Sequence, residues 1–198
     1  MNGKMDTHDL IAALSKNDLK VKRDLFEQNY ELMSSIALRF SKNEEQAKLL
    51  LIDSFDKTLN AYVNYKGKNV PVFGHFLKVE FITGAINFIK SIRSEYYVAS
   101  TVLATSERDK NFNLFESGEI IDHNAIETPV LVKSLQELVP SQRLVFNLHV
   151  IDGFELITIS EMLEASEQTV KSNLEKARFN LQKNIEKNNR TVKHEQAL

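Results

Sequence analysis

Cysteine is absent from the 198 residues, and so is tryptophan. Without cysteine there is no disulfide, no thiolate metal site and no thiol nucleophile, and the composition suits a reducing compartment. Glycine (6) and proline (3) are scarce. Strand-rich folds need frequent Gly/Pro turns, so this scarcity points to an all-α chain. No run of about 18 apolar residues occurs, and no membrane span is expected. Met1 to Leu14 holds neither an apolar core run nor a small-residue cleavage site, so the reading is cytoplasmic rather than secreted. No single sign of charge dominates: 25 Lys+Arg against 27 Asp+Glu leave a formal charge of -2, so no global basic field marks a nucleic-acid partner. Hydrophobic residues at 42% are enough for packed cores and exclude a wholly disordered chain.

Catalytic and metal-binding patterns are missing too. His8, His75, His123, His149 and His194 are scattered, with no His-x3-His, His-Glu-x-x-His or Asp-x-Asp-x-Asp-Gly spacing. His75 and His149 read as packed side chains. Gly67 and Gly74 do not make a phosphate loop. Glu44-Glu45 complements a helix dipole better than it makes a catalytic pair. No enzyme, cofactor or metal is expected.

What is present is an uneven charge pattern. Residues 21–97 carry 11 basic and 9 acidic side chains, residues 98–140 carry 3 and 7, and residues 171–198 carry 7 and 3. The acidic middle also loses helical periodicity, and a loop that long is usually a linker or a functional segment. The chain is therefore divided into an N-terminal extension (1–22), a helical domain (23–97), an acidic linker (98–127), a second helical domain (128–187) and a polar tail (188–198). The first domain predicts three helices: about 23–40, about 44–62, and from Pro71 to about 96. The linker reads most simply as a solvated tether.

The second domain predicts four shorter helices. Thr128-Pro129 opens the first, and Gly153 stops the second. Thr158-Ile159-Ser160-Glu161 has capping-box form and predicts the start of the third. Ser166 predicts the cap of the fourth, which carries Val170, Leu174, Ala177 and Leu181 as a buried seam. A short capped helix, a tight break and a second capped helix make the layout of a helix-turn-helix. Gln168, Thr169, Lys171 and Ser172 then lie near a helix N-terminus, where such side chains reach base edges in a major groove. Lys171, Lys176 and Arg178 can neutralise phosphates. The same pattern also fits a plain helical hairpin with a solvated charged face.

A wider string separates these readings. Ser134-Leu-Gln-Glu-Leu-Val-Pro-Ser-Gln-Arg143, Val145-Phe146, Gly153, Ile159, Glu161-Met-Leu163, Ser166-Glu-Gln-Thr-Val-Lys-Ser172, Leu174 and Ala177-Arg178 together resemble region 4 of bacterial sigma factors. Residues 23–97 then look like sigma region 2, in the layout of the extracytoplasmic-function group, which has only regions 2 and 4. The resemblance implies a sigma factor that directs RNA polymerase to promoters. Region 4 would read the −35 element through Gln168, Thr169, Lys171, Ser172, Asn173, Lys176 and Arg178. Region 2 would melt the −10 element and hold its strand through Tyr65, Lys66, Lys68, Asn69, Lys78, Asn87, Lys90 and Arg93. Leu50, Asp53, Phe55 and Asp56 would bind polymerase. Core RNA polymerase, promoter DNA and an anti-sigma factor are the implied partners, and the linker from Glu107 to Glu127 would mimic nucleic acid in a polymerase channel.

The sequence departs from the family pattern at defined places. Leu49 and Ile52 stand where an acid and an amide are usual. Phe76 replaces a Trp, Val79, Ile82 and Thr83 replace basic and amide positions, and Asn87 replaces an Asp. Asn173 replaces an Arg. Glu164 replaces the turn glycine, which either strains the turn by roughly 1 kcal/mol or reshapes it. These departures leave a second reading open: a sigma-like DNA-binding or protein-interaction regulator that no longer binds polymerase.

Overall fold

The computed structural model of the chain describes residues 6–67, 69–91 and 126–195. Helices account for all the regular structure among them, with no strand, as the all-α reading expects. The chain divides into two units: residues 1–37 with 44–88, and residues 38–43 with 89–198. The acidic stretch from 98 to 125 lies outside the described residues.

The first unit begins with a helix that the sequence reading left as an extension. Helix α1 spans Thr7–Ser15 and α2 spans Leu19–Phe40. Each starts on an aspartate. Asp6 accepts the Asp9 amide at 2.8 Å, and Asp18 accepts those of Lys20 and Val21 at 2.9 and 3.1 Å. A carboxylate there satisfies amides that have no helical partner and meets the positive end of the dipole. Leu10 and Leu14, one turn apart, are the buried residues of α1, which packs against α3.

Helix α3 (Glu44–Val63) and helix α4 (Phe73–Ser91) supply most of the remaining core. Leu50, Leu59, Tyr62, Leu77, Phe81 and Ile82 are almost wholly buried. Gly84 lets α4 approach α3 closely, since a Cβ there would sit 2.8 Å from Ser54 Oγ. Phe26 meets Phe55 edge-on at 5.2 Å, and Tyr62 meets Phe73 edge-on at 5.1 Å. Such edge-to-face pairs each add about 0.5–1.5 kcal/mol beyond area burial. Residues 92–96 of the expected third helix lie outside the described residues.

The second unit is built around one long helix, α8 (Glu167–Glu195), against which α5 (Thr128–Gln136), α6 (Pro140–Phe146) and α7 (Leu156–Leu163) all pack. Val170, Leu174, Ala177 and Leu181 form its buried seam, and Ile185 extends it. Pro140 opens α6 at a position where a missing N–H costs no helical bond. A π-helical turn, Asn147–Ile151, continues α6, and Gly153 at φ +79° ends it.

Two expectations need correction. Helix α7 starts at Leu156, after an extended Glu155 that makes no side-chain cap, so Thr158 lies inside the helix and the capping-box pattern is not used. The 188–198 segment is not an irregular tail from its start, because α8 runs on to Glu195. Polar anchoring explains the extension: Asn184 Nδ2 donates to Ser134 O at 3.1 Å, and the buried Asn188 donates to Ser134 Oγ at 3.0 Å.

Candidate nucleic-acid interface

The break between α7 and α8 is three residues long. Glu164 holds φ +55° and ψ 43°, the left-handed conformation that the family's glycine would adopt without a Cβ penalty. The turn is thus strained rather than reshaped. The Ala165 amide donates to Ser160 O at 3.0 Å, closing the end of α7 in the manner of a Schellman cap. Ser166 then opens α8, its hydroxyl accepting the Thr169 amide at 3.1 Å. This cap is the one that the sequence predicts.

The cap fixes the face that the first turns of α8 present. Val170 and Leu174 point inward, while Gln168, Thr169, Lys171 and Arg178 are exposed, and Ser172 and Lys176 are partly so. Gln168, Lys171, Ser172 and Glu175 fall at i, i+3, i+4 and i+7, which puts them on one side. Two acids that the sequence reading did not single out sit here. Glu175 shares the face, and Glu167 pairs with Lys171 at 2.8 Å. Thr169 Oγ1 lies 2.8 Å from Ser166 Oγ, so it belongs to the cap as well as to the face. Asn173 is turned into the unit: its Nδ2 donates to Thr169 O at 3.0 Å and its Oδ1 accepts from Ser141 Oγ at 3.2 Å. Its side chain is committed to packing α6 against α8, not to a groove.

The residues expected to hold an opened strand lie at the corner between α3 and α4 and along α4. Tyr65 is 39% exposed and meets Phe76 edge-on at 5.8 Å. Its ring lies against Gly67 so closely that a Cβ there would overlap it. Lys66 and Asn69 are exposed beside it, while Lys68 and Arg93 lie outside the described residues. Lys78 and Asn87 are exposed on α4 but nine residues apart, which is half a turn out of phase, so they do not share a face. Lys90 is engaged. Its Nζ donates to Met162 O at 3.2 Å and to Glu164 Oε1 at 3.0 Å. Phe73 and Phe76 are core residues.

Of the four residues assigned to polymerase, Leu50 is wholly buried in the first unit and Phe55 nearly so, which leaves a partner little side-chain surface. Asp53 and Asp56 are exposed, Asp53 in a 2.6 Å pair with Lys57. The accessible apolar residues of α3 are Leu49 and Ile52, at 57% and 64% exposure. Leu49, Ile52, Asp53 and Asp56 fall at i, i+3, i+4 and i+7, so the sequence departures and the two acids make one face.

The second unit, then, is a compact helical domain presenting a capped helix through a helix-turn-helix, the geometry of a DNA-binding regulatory domain rather than a catalytic one. Residues 130–181, from the start of α5 to the end of the α8 seam, match the family model for sigma-70, region 4. This match supports sigma-like promoter recognition by that domain. No curated protein matches the chain. Among the described residues, no helix is long and apolar enough to cross a membrane.

Proposed function

We propose that the chain is a sigma factor of the extracytoplasmic-function group, with a divergent region 2. It works in the cytoplasm as a dissociable polymerase subunit that sets promoter choice and does no bond-making chemistry. The observation that carries this reading is the capped α8 inside the matched span, with Gln168 and Lys171 exposed on its first turns. Gln168, Lys171 and Ser172 meet base edges of the −35 element, while Lys176 and Arg178 hold phosphates. In the first unit, Tyr65 stacks an unpaired −10 base and Lys66, with Lys68, follows its backbone, the combination by which single strands are held. Asp53 and Asp56 face polymerase together with Leu49 and Ile52. An anti-sigma factor is the expected negative regulator.

Purified protein mixed with core RNA polymerase tests this reading by gel filtration and by transcription from selected promoter fragments. Co-elution with promoter-dependent transcripts supports it. A separate protein peak and no transcripts support the second reading, a sigma-like regulator detached from polymerase. One observation favours that alternative: two exposed aliphatic side chains occupy the α3 face where the family carries an acid and an amide.

A further inference from the structure

A helix laid in a major groove has three kinds of position. Some pack on its own domain, some face the phosphate walls, and some face the base edges between those walls. Successive residues turn by about 100°, so position along α8 decides which kind each residue is. Val170, Leu174, Ala177 and Leu181 pack on the domain. Glu175 lies about 20° round the axis from Gln168, on the side away from that seam. Lys176 lies about 100° from Glu175 in one direction and Arg178 about 60° in the other. The carboxylate thus stands between two cations, in the sector that meets base edges when the cations meet phosphates.

Glu175 is exposed. Lys171, one turn earlier, pairs backward with Glu167 at 2.8 Å and not forward with Glu175. Among the described residues, no hydrogen-bond or ion-pair partner meets the Glu175 carboxylate. Phosphates repel such a group, so it weakens binding to DNA of arbitrary sequence. The loss is offset where a base edge offers the carboxylate a hydrogen.

An ionised carboxylate accepts and cannot donate. The donors in the major groove are the N4 amino group of cytosine and the N6 amino group of adenine. Adenine sets its N7 acceptor beside the amino group, and that acceptor repels a carboxylate. Guanine presents two acceptors, and thymine presents an acceptor and a methyl group. Cytosine alone shows a donor with no acceptor of its own.

We propose that Glu175 is a specificity-determining residue of α8, accepting from the N4 amino group of a cytosine in the duplex. The inference rests on the reading of α8 as the helix that meets the −35 element, and names a base that it selects. Seven residues of helix rise about 10 Å, so this cytosine stands about three base pairs from the base met by Gln168. Glu175 adds selectivity rather than affinity, because the same charge that accepts from cytosine is repelled by the backbone everywhere else.

The test is a selection by the full chain at low salt from a duplex pool with a fully randomised centre. It is run on the parent, Glu175→Gln and Glu175→Ala. The parent is expected to favour cytosine at one position by about fivefold or more. A glutamine offers a donor beside its acceptor, the pattern that matches adenine N6 and N7. Glu175→Gln should therefore move that one position from cytosine to adenine. Glu175→Ala should level it, keep the other selected positions, and bind unselected duplex more tightly than the parent. The same selected sequence in all three proteins overturns the role of Glu175 while α8 remains the reading helix. A loss of every selected position in Glu175→Ala, with Glu175→Gln unchanged, marks a structural role and overturns it too. No enriched sequence with the parent overturns the reading of α8 itself, and this inference with it.

Discussion

The hydroxyl of Ser166 accepts the amide of Thr169 at 3.1 Å, and this bond marks where α8 begins. It sets which residues of the first turn face outward. Ser166→Ala removes the acceptor and leaves the amide to water. The expected cost is about 1 kcal/mol. Urea denaturation should show a lower midpoint with an unchanged slope. A variant as stable as the parent would mean that Thr169 Oγ1 or solvent replaces the cap at no cost.

Glu164 carries strain that can be relieved. Its φ of +55° places a Cβ where glycine would have none. Glu164→Gly should stabilise the chain by about 0.5–1 kcal/mol, the steric term less the added freedom of the unfolded state. The lost pair with Lys90 offsets little of this, because the Glu164 side chain is 84% exposed and such pairs are weak. Thermal denaturation checks the sign. A destabilised variant would show that the contact to Lys90 outweighs the backbone strain.

Period and cap chemistry made the second unit readable. The Val170–Leu181 seam follows helical spacing, and Ser166 stands where a cap must. Thr158 misled because Ser/Thr-x-x-Glu also occurs inside helices, and here apolar Leu156 and Ile157 already belong to the helix. Leu50 and Phe55 misled for another reason. Helix α3 has apolar residues on two faces, and only tertiary packing decides that Leu50 is buried while Leu49 is 57% exposed. Asn173 kept its place in the expected reading face, but its amide is used against Ser141. Such a pairing between residues 32 apart leaves no local trace. The continuation of α8 rests on Asn184 and Asn188, polar groups that hydrophobic periodicity does not count.

Lys171 and Glu167 make a half-exposed pair on the face assigned to the groove. If Lys171 neutralises a phosphate or meets a base edge, Lys171→Ala weakens binding to a −35 duplex and lowers the salt slope by about 1. Glu167→Gln should act oppositely, since it removes both a competing partner and a charge repelled by DNA. Anisotropy titrations at four salt concentrations test both. Parallel salt plots for the parent and Lys171→Ala would remove this lysine from the interface.

Gly67 matters through Tyr65. A methyl group at residue 67 would overlap the Tyr65 ring, so Gly67→Ala must displace it from its edge contact with Phe76. If the ring is a stacking platform, Tyr65→Ala should cost about 1–3 kcal/mol in single-strand affinity. Gly67→Ala should lose part of the same amount, without changing duplex binding by α8. Equal single-strand affinity for the parent and both variants would reduce this corner to a packed turn.

Tyr62 gives the first unit an alkaline limit. The side chain is buried against Phe73 and Phe76, and its hydroxyl donates to Pro71 O at 3.0 Å. Burial pushes the phenol above its ordinary value, with a hydrogen bond from Thr7 pulling weakly the other way. The folded state therefore holds the proton more tightly than the unfolded state does. The resulting stability is present in full below about pH 10, the unfolded value. Above that, the unfolded chain releases its proton first, and stability falls until the folded phenol also ionises. Tyr62→Phe should be less stable at pH 8 by about 1–2 kcal/mol, from the lost hydrogen bond and the carbonyl left unpaired. Its stability should then decline less steeply than the parent's between pH 9.5 and 11. Urea midpoints measured across that range for both proteins isolate the Tyr62 contribution, since the two differ in no other group. Parallel curves would mean that the hydroxyl ionises in the fold as easily as in the unfolded chain.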